Sequence, residues 1–152
     1  MKRILIEREK CYGCWTCMFA CMNMHRKDQG AIDDLPVFSR IESRGYVLYA
    51  GGYSTPVYCR HCDEPECVAA CMSGALRKSR ASGHVFYDKD RCGQCFMCVM
   101  YCPYGLPKPD NLTRSEVIKC SFCAGAADSP SCVASCPTGA ITVKEVEGPC
   151  GT

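Results

Sequence analysis

Residues Cys92-Gly93-Gln94-Cys95-Phe96-Met97-Cys98-Val99-Met100-Tyr101-Cys102-Pro103 space four thiols as C-x2-C-x2-C-x3-C and follow the last with proline. Thiolates are soft donors, and this run is the one that carries a cubane iron–sulfur cluster. Three variants of it occur in the same 152 residues. Cys11, Cys14, Cys17 and Cys21 repeat the spacing; Cys59, Cys62, Cys67 and Cys71 are spaced x2, x4, x3. Cys120, Cys123, Cys132 and Cys136 have an eight-residue gap in the middle. Cys150, in Gly148-Pro149-Cys150-Gly151, stands apart and is expected to be an unliganded tail thiol.

Cysteines at i, i+3 and i+6 in an irregular loop can surround one corner of a cubane. Gly13 and Gly93 lie inside such loops, where positive φ would aim backbone N–H groups at cluster sulfurs. The fourth cysteine falls on the following helical turn and cannot easily reach back. In two-cluster ferredoxins it ligates the other cluster, which locks two halves together. Pro103 and Pro137 fix φ directly after that cysteine. Structural zinc sites use cysteines in pairs, and Cys17 and Cys98 are surplus to that scheme. Radical chemistry on S-adenosylmethionine would need C-x3-C-x2-C, but Met24, Gly74, Gly105 and Gly139 occupy the decisive places. No histidine replaces a cysteine as a Rieske centre requires.

Seventeen cysteines would also fit a secreted disulfide scaffold. The N-terminus, Met1-Lys2-Arg3-Ile4-Leu5-Ile6-Glu7-Arg8, has too short an apolar run for a signal peptide, and no apolar stretch approaches a transmembrane length. Abundant cysteine in a reducing, cytoplasmic setting reads as metal binding. Formal net charge is +2. Each cubane with four thiolates adds about −2, so four would bring the protein to roughly −6. The basic residues are thus expected to compensate cluster charge, and no nucleic-acid surface is implied.

The elements that must position the thiols are short. Lys2–Glu7 is expected as a strand, Met18–Lys27 as a turn or two of helix, and His84–Tyr87 as a strand into the third group. Within the cysteine-free stretch 28–57, Phe38–Ser43 and Tyr46–Tyr49 read as strands joined near Arg44-Gly45, with a break at Gly51-Gly52. Pro103, Pro107 and Pro109 make the next segment extended, Val117-Ile118-Lys119 is a short strand, and Ile141-Thr142-Val143 enters a final one. The tails Cys102-Pro103-Tyr104-Gly105, Cys136-Pro137-Thr138-Gly139 and Cys71-Met72-Ser73-Gly74 expose an internal repeat. Four such units imply an α+β fold of two fused bacterial-type two-cluster ferredoxin modules, with small strands and short helices.

Other residues carry weaker signals. His25, His61 and His84 read as ordinary surface or packing histidines, although charge on Arg60 and His61 could raise the potential of the second group's cluster. Met18, Met22, Met24, Met72, Met97 and Met100 are expected as apolar filler around clusters. Trp15 and Phe96, at matched positions, are expected to shield a cluster or meet a partner.

From about Lys2 to Val143, the order and spacing of the four groups resemble the four-cluster electron-transfer subunits of the dimethyl-sulfoxide-reductase and formate-dehydrogenase type. Within that family the chain is most similar to the small iron–sulfur protein accompanying anaerobic CO dehydrogenase. The resemblance implies four 4Fe-4S clusters in nested, pseudo-twofold modules. Cys11, Cys14 and Cys17 would share a cluster with Cys136, and Cys120, Cys123 and Cys132 with Cys21. Cys59, Cys62 and Cys67 would take Cys102, and Cys92, Cys95 and Cys98 would take Cys71. The outer module would then be 1–28 plus 111–152, the inner one 57–110, and 29–56 an inserted β-hairpin. Met22 and Met72 stand where the family often has proline.

A 152-residue chain has a diameter near 40 Å, so four clusters must lie within electron-hopping reach. The expected function is a wire between a catalytic oxidoreductase, CO dehydrogenase foremost, and a hydrogenase or flavin-dependent NAD(P) reductase. Alternatives are a formate dehydrogenase, hydrogenase or molybdenum-reductase subunit, a free polyferredoxin, or a zinc-organised interaction module. No acid–base or nucleophile constellation and no Gly-rich nucleotide fingerprint is present, so no catalytic site of its own is expected.

Overall fold

Ile4, Leu5 and Ile6 give the first segment an extended preference, and the chain's other end supplies its partner. The computed structural model describes residues 1–26, 42–111, 114–124 and 129–146; Cys150 and most of the expected strand Phe38–Ser43 lie outside them. In chain order the elements are β1 (Lys2–Ile6), α1 (Thr16–Met24), β2 (Tyr46–Ala50), β3 (Tyr53–Val57), α2 (Glu66–Ala69) and β4 (Leu76–Lys78). Then follow β5 (Val85–Tyr87), α3 (Met97–Tyr101), β6 (Lys108–Pro109), β7 (Val117–Ile118), α4 (Ser131–Ala134) and β8 (Ile141–Glu145). Single 3-10 turns at Arg8–Lys10 and Lys89–Arg91 lead into the first and third cysteine groups.

The strands form two-stranded antiparallel ribbons: β1 with β8, β2 with β3, β4 with β5, and β6 with β7. Ile6 faces Ile141 and Lys2 faces Glu145, so the first and last strands close one ribbon. Leu76 faces Tyr87 in the β4–β5 ribbon, whose first strand had no sequence signal of its own. The two ribbons end alike. Glu7 N–H donates to Ala140 O at 2.8 Å, and Asp88 N–H to Ala75 O at 2.8 Å. In both places a 3-10 turn and a cysteine loop follow at once. Ribbons this small are not stable alone and depend on what they pack against.

They pack on helices that carry cysteines. Helix α1 lies against α4, and α2 against α3. One core joins Cys17, Tyr58, Cys132 and Ile141; another joins Leu76, Val85, Cys98 and Val117. Cysteine thus fills positions that Leu, Ile or Val hold in an ordinary domain of this size.

The hairpin differs from its expected form. Its strands are β2 and β3, turned at Gly51-Gly52, where both residues have positive φ. Gly51-Gly52 is therefore the turn and not a break, because only glycine enters two successive left-handed positions without strain. Arg44-Gly45 joins no pair of strands among the described residues. A Cβ on Gly45 would stand 2.5 Å from the Tyr58 ring, so this glycine permits close approach to a buried tyrosine.

Candidate metal centres

Each cysteine loop bends at the same place. The second residue after the first cysteine has positive φ in all four groups: Gly13 (77°), His61 (48°), Gln94 (54°) and Phe122 (56°). Gly93 is not among the left-handed residues; Gln94 takes that role in the third loop, one residue later than expected. Left-handed non-glycine residues cost about 1–2 kcal/mol each. Their recurrence marks a bend imposed by what the loop must surround. Trp15 and Phe96 are left-handed too, and from there α1 and α3 begin. Trp15 stays exposed at 54%, while Phe96 packs against the Leu76–Val85 core.

The thiols come together across groups. Cys11, Cys14 and Cys17 line one cavity with Cys136. Cys59, Cys62 and Cys67 line another, of about 240 Å³, with Cys102. Electrostatics connects the remaining sets. Burial pushes the Cys98 thiol up to about 11, with Cys71, Cys92 and Cys95 adding to the rise. Burial also raises Cys132, and Cys120, Cys21, Cys123 and Cys17 raise it further. All sixteen described cysteines are free thiols. Among the described residues no three His, Cys, Asp or Glu side chains converge as a single ion would need. In the cavity of Cys59, Cys62, Cys67 and Cys102 the thiols stand around a void, which suits a multinuclear group.

The chain supplies N–H donors to these sulfurs. Leu76 N–H donates to Cys71 Sγ at 3.4 Å, Phe122 N–H to Cys120 Sγ at 3.4 Å, and Arg44 N–H to Cys21 Sγ at 3.3 Å. Burial would raise the Cys71 thiol, yet the Leu76 N–H, the Ser73 hydroxyl and the Ala75 and Gly74 N–H groups bring it below the ordinary value. Cys136 is lowered against burial in the same way, by Ile141 N–H, the Thr138 hydroxyl and N–H, and Ala140 N–H. Both belong to a turn spelled Cys-x-Ser/Thr-Gly-Ala, whose amides point at the sulfur. Cys21 differs: it sits inside α1, and burial dominates over the Arg44 N–H to raise its thiol.

Several side chains sit elsewhere than expected. His61 is buried, and burial pushes it down to about 2, with Lys119, His84, Arg3 and Lys78 acting in the same direction. Its Nδ1 accepts the Val85 N–H at 2.9 Å, so the ring is neutral and adds no charge to the second group. Arg60 stacks over Tyr104 at 4.2 Å. Met72 and Met100 are 93% and 79% exposed and fill no core.

Sequence reasoning missed the buried residues Arg3, Tyr58 and Lys119. Arg3 reaches Asp63 Oδ1 at 2.6 Å and Arg60 O at 3.2 Å, tying β1 to the second cysteine loop. The Tyr58 hydroxyl lies by Cys17, and burial, then Cys17 and Cys132, raise it strongly. Lys119 Nζ donates to Val85 O and Cys120 O, each at 2.9 Å. The only sequence signal is position: Tyr58 and Lys119 each stand immediately before the first cysteine of a group.

Residues 51–146 match the 4Fe-4S dicluster domain family. The chain belongs to that family. This 4Fe-4S dicluster protein is 33% identical over 152 residues to electron transport protein HydN of Escherichia coli K12, covering 91% of this chain and 85% of HydN. It is 35% identical over 154 residues to one chain of the anaerobic dimethyl sulfoxide reductase of the same organism, covering 90% of this protein and 69% of that one. Among solved structures it is similar to a chain of the active site complex BamBC of benzoyl coenzyme A reductase. That likeness has a TM-score of 0.50 and 29% identity, covering 98% of this chain and 82% of the other. The cofactors are 4Fe-4S clusters, and four groups of four cysteines provide thiolates for four of them. No helix among the described residues is long and apolar enough to cross a membrane.

Proposed function

We infer that this dicluster-family chain is an electron-transfer iron–sulfur protein. It holds four clusters in crossed ligand sets and serves a catalytic oxidoreductase partner without a catalytic site of its own. The sets are Cys11, Cys14, Cys17 with Cys136; Cys120, Cys123, Cys132 with Cys21; Cys59, Cys62, Cys67 with Cys102; and Cys92, Cys95, Cys98 with Cys71. What carries this reading is the cavity that Cys102 shares with Cys59, Cys62 and Cys67, away from its own run. The matching cavity of Cys136 with Cys11, Cys14 and Cys17 supports it.

The outer module is residues 1–28 with 111–152, the inner one 57–110, and 29–56 is an insertion whose described part holds β2 and most of β3. The β1–β8 ribbon with α1 on α4, and the β4–β5 ribbon with α2 on α3, favour that division. Bound clusters supply one-electron redox chemistry. The chain's own task is to hold thiolates, donate N–H groups to them and exclude water. Among the cysteines described, Cys14 and Cys95 are exposed, one in each module. These are the places where the protein covering is thinnest and a partner could approach.

The name of HydN supports a role in electron transport, and that of the dimethyl sulfoxide reductase relative a place beside an anaerobic oxidoreductase; the compartment we propose is the cytoplasm. Neither they nor the benzoyl coenzyme A reductase complex is a CO dehydrogenase protein, so the proposed partner is the broader class. Iron analysis after anaerobic purification tests the cofactor assignment: about sixteen iron atoms per chain are expected, and zinc in their place overturns it. Anaerobic affinity capture with mass spectrometry tests the partner. Recovery of a large reductase or dehydrogenase supports the reading, with CO dehydrogenase as one specific outcome. A monomer that exchanges electrons without any stable partner overturns it in favour of a diffusing polyferredoxin.

A further inference from the structure

Burying an ammonium group away from water is costly unless an anion compensates it. Lys119 is 3% exposed, yet its Nζ bonds carbonyl oxygens, Val85 O and Cys120 O, and no carboxylate among the described residues pairs with it. Its field reaches thiols of two different groups. Burial pushes Cys67 up to about 11 and Lys119 pulls against that rise. Burial pushes Cys120 up to about 12, Cys59 adds to it, and Phe122 N–H and Lys119 oppose. Geometry places Lys119 between the second and fourth groups: His61 of the second loop meets Phe122 of the fourth with ring centroids 5.9 Å apart, Lys119 Nζ bonds Cys120 O, and Val85, whose carbonyl it also holds, lines the cavity of Cys59, Cys62, Cys67 and Cys102. The other groups around it cannot provide an anion. His61 is neutral, His84 is held low by burial and by Lys119 and Arg3, and Phe122 meets the His61 ring edge-on at 5.9 Å and the His84 ring at a tilt at 4.2 Å. Arg3 and Lys78 are cations already shared with Asp63.

Position sharpens the contrast. Tyr58 precedes the second group but is buried with Cys17 and Cys132, of the first and fourth groups. Lys119 precedes the fourth group but bonds to Val85, in β5 of the ribbon that leads to the third. These two buried lead-in residues are each exchanged into the opposite half, and of the two only Lys119 carries charge.

We propose that Lys119 is a positioning residue for electron transfer, a fixed buried charge whose counter-ions are the two clusters flanking it. It makes those two clusters easier to reduce and thereby favours electron passage from one half of the chain to the other. This rests on the ligand sets inferred above, namely Cys59, Cys62, Cys67 with Cys102 and Cys120, Cys123, Cys132 with Cys21. Lys119 Nζ bonds carbonyl oxygens and no cysteine sulfur among the described residues; it acts through charge.

The test uses the full chain with its clusters, in wild-type, Lys119→Gln and Lys119→Arg forms. Glutamine can keep a donor toward Val85 O and Cys120 O but removes the charge; arginine keeps the charge. Iron content is measured first, and potentials follow from redox titration monitored by electron paramagnetic resonance. In Lys119→Gln, two of the four reduction steps are expected to become harder by at least tenfold in equilibrium constant, about 59 mV for one electron. Lys119→Arg should restore them. Loss of roughly half the iron in Lys119→Gln, with retention in Lys119→Arg, also supports the proposal, because the clusters then need the charge to assemble. Unmoved potentials with full iron in Lys119→Gln overturn it, as does an equal defect in Lys119→Arg. A wild type with far fewer than about sixteen iron atoms overturns the ligand reading itself, a different failure seen before any variant is made.

Discussion

Cys11 and Cys136 line the same cavity, although one opens the first cysteine group and the other closes the last. Under the ligand sets proposed above, a thiol contributed from so far along the chain leaves the first cluster incomplete until Cys136 is in place. Crossed pairing of this kind gives the ligand substitutions a distinctive signature.

Cys102→Ser should disturb the cluster of Cys59, Cys62 and Cys67 more than that of its own run. Cys136→Ser should act on that of Cys11, Cys14 and Cys17. Resonance spectra of the two variants, compared signal by signal with the wild type, decide the matter. Loss of the cluster belonging to the mutated cysteine's own group would contradict the cavities in which these thiols lie.

Gly13 and Gln94 occupy equivalent left-handed positions, and substitutions there should have opposite signs. A Cβ on Gly13 would meet Ser54 Oγ at 2.5 Å, besides the left-handed strain. Gly13→Ala is therefore expected to destabilise by about 1–2 kcal/mol or more. Gln94→Gly removes strain and should be neutral or stabilising by up to about 1 kcal/mol. Thermal melts of the holoprotein measure both, and equal destabilisation by the two would refute the equivalence.

Arg3 joins β1 to the second cysteine loop through Asp63 and the Arg60 carbonyl. Arg3→Met keeps much of the packing but leaves that carbonyl without its donor, although Lys78 still serves Asp63. A loss of about 1–3 kcal/mol is expected. Chemical denaturation followed by cluster absorbance would report it, and a change below about 0.5 kcal/mol would mean the contact is dispensable.

His84 gives the protein an acid limit. Burial lowers it, the Lys2 carbonyl opposes, and Lys119, Arg3 and the N-terminus add to the lowering. The neutral ring is therefore the one the fold favours. Its contribution is complete above the unfolded value near 6.5 and is lost as pH falls from there through the depressed folded value. Between pH 7 and 5 the wild type should lose more thermal stability than His84→Gln. Parallel losses would assign the acid limb to other groups.

Cluster insertion should likewise improve as pH rises, through a different set of groups. Burial first, and neighbouring thiols after it, push Cys67 and Cys98 up to about 11 and Cys120 up to about 12. These thiols are protonated in the cluster-free chain at neutral pH and must release protons on binding iron. Reconstitution should thus be more complete at pH 8.5 than at pH 6.5, with iron bound per chain as the measure. A flat dependence would count against proton release at these positions.

The thiols and the strands beside them were legible because spacing and β-branched runs are local signals. Ile4–Ile6, Val85–Tyr87 and Ile141–Val143 all lie in strands where pattern placed them. What was illegible depended on long-range contact. Gly45 reads as a turn until Tyr58 is seen against it, and Lys119 reads only as the end of a short strand until its bond to Val85 O is found. His61 reads as a possible cation, but its burial against Val85 N–H makes it an acceptor. Gly93 and Gln94 differ for a subtler reason. Composition locates flexibility at the glycine, whereas the loop bends at the residue that geometry selects and tolerates the strain of glutamine there.

The ribbon of β1 with β8 has a consequence for biosynthesis. The first strand leaves the ribosome early, while its partner is made much later. At about 5–20 residues per second the interval is on the order of ten seconds. During it Cys11, Cys14 and Cys17 are translated but unenclosed, while the β4–β5 ribbon and its helices can already close. A nascent chain therefore carries reactive thiols in its first group for longer than anywhere else, which makes that group the one most in need of reducing, oxygen-poor surroundings during synthesis.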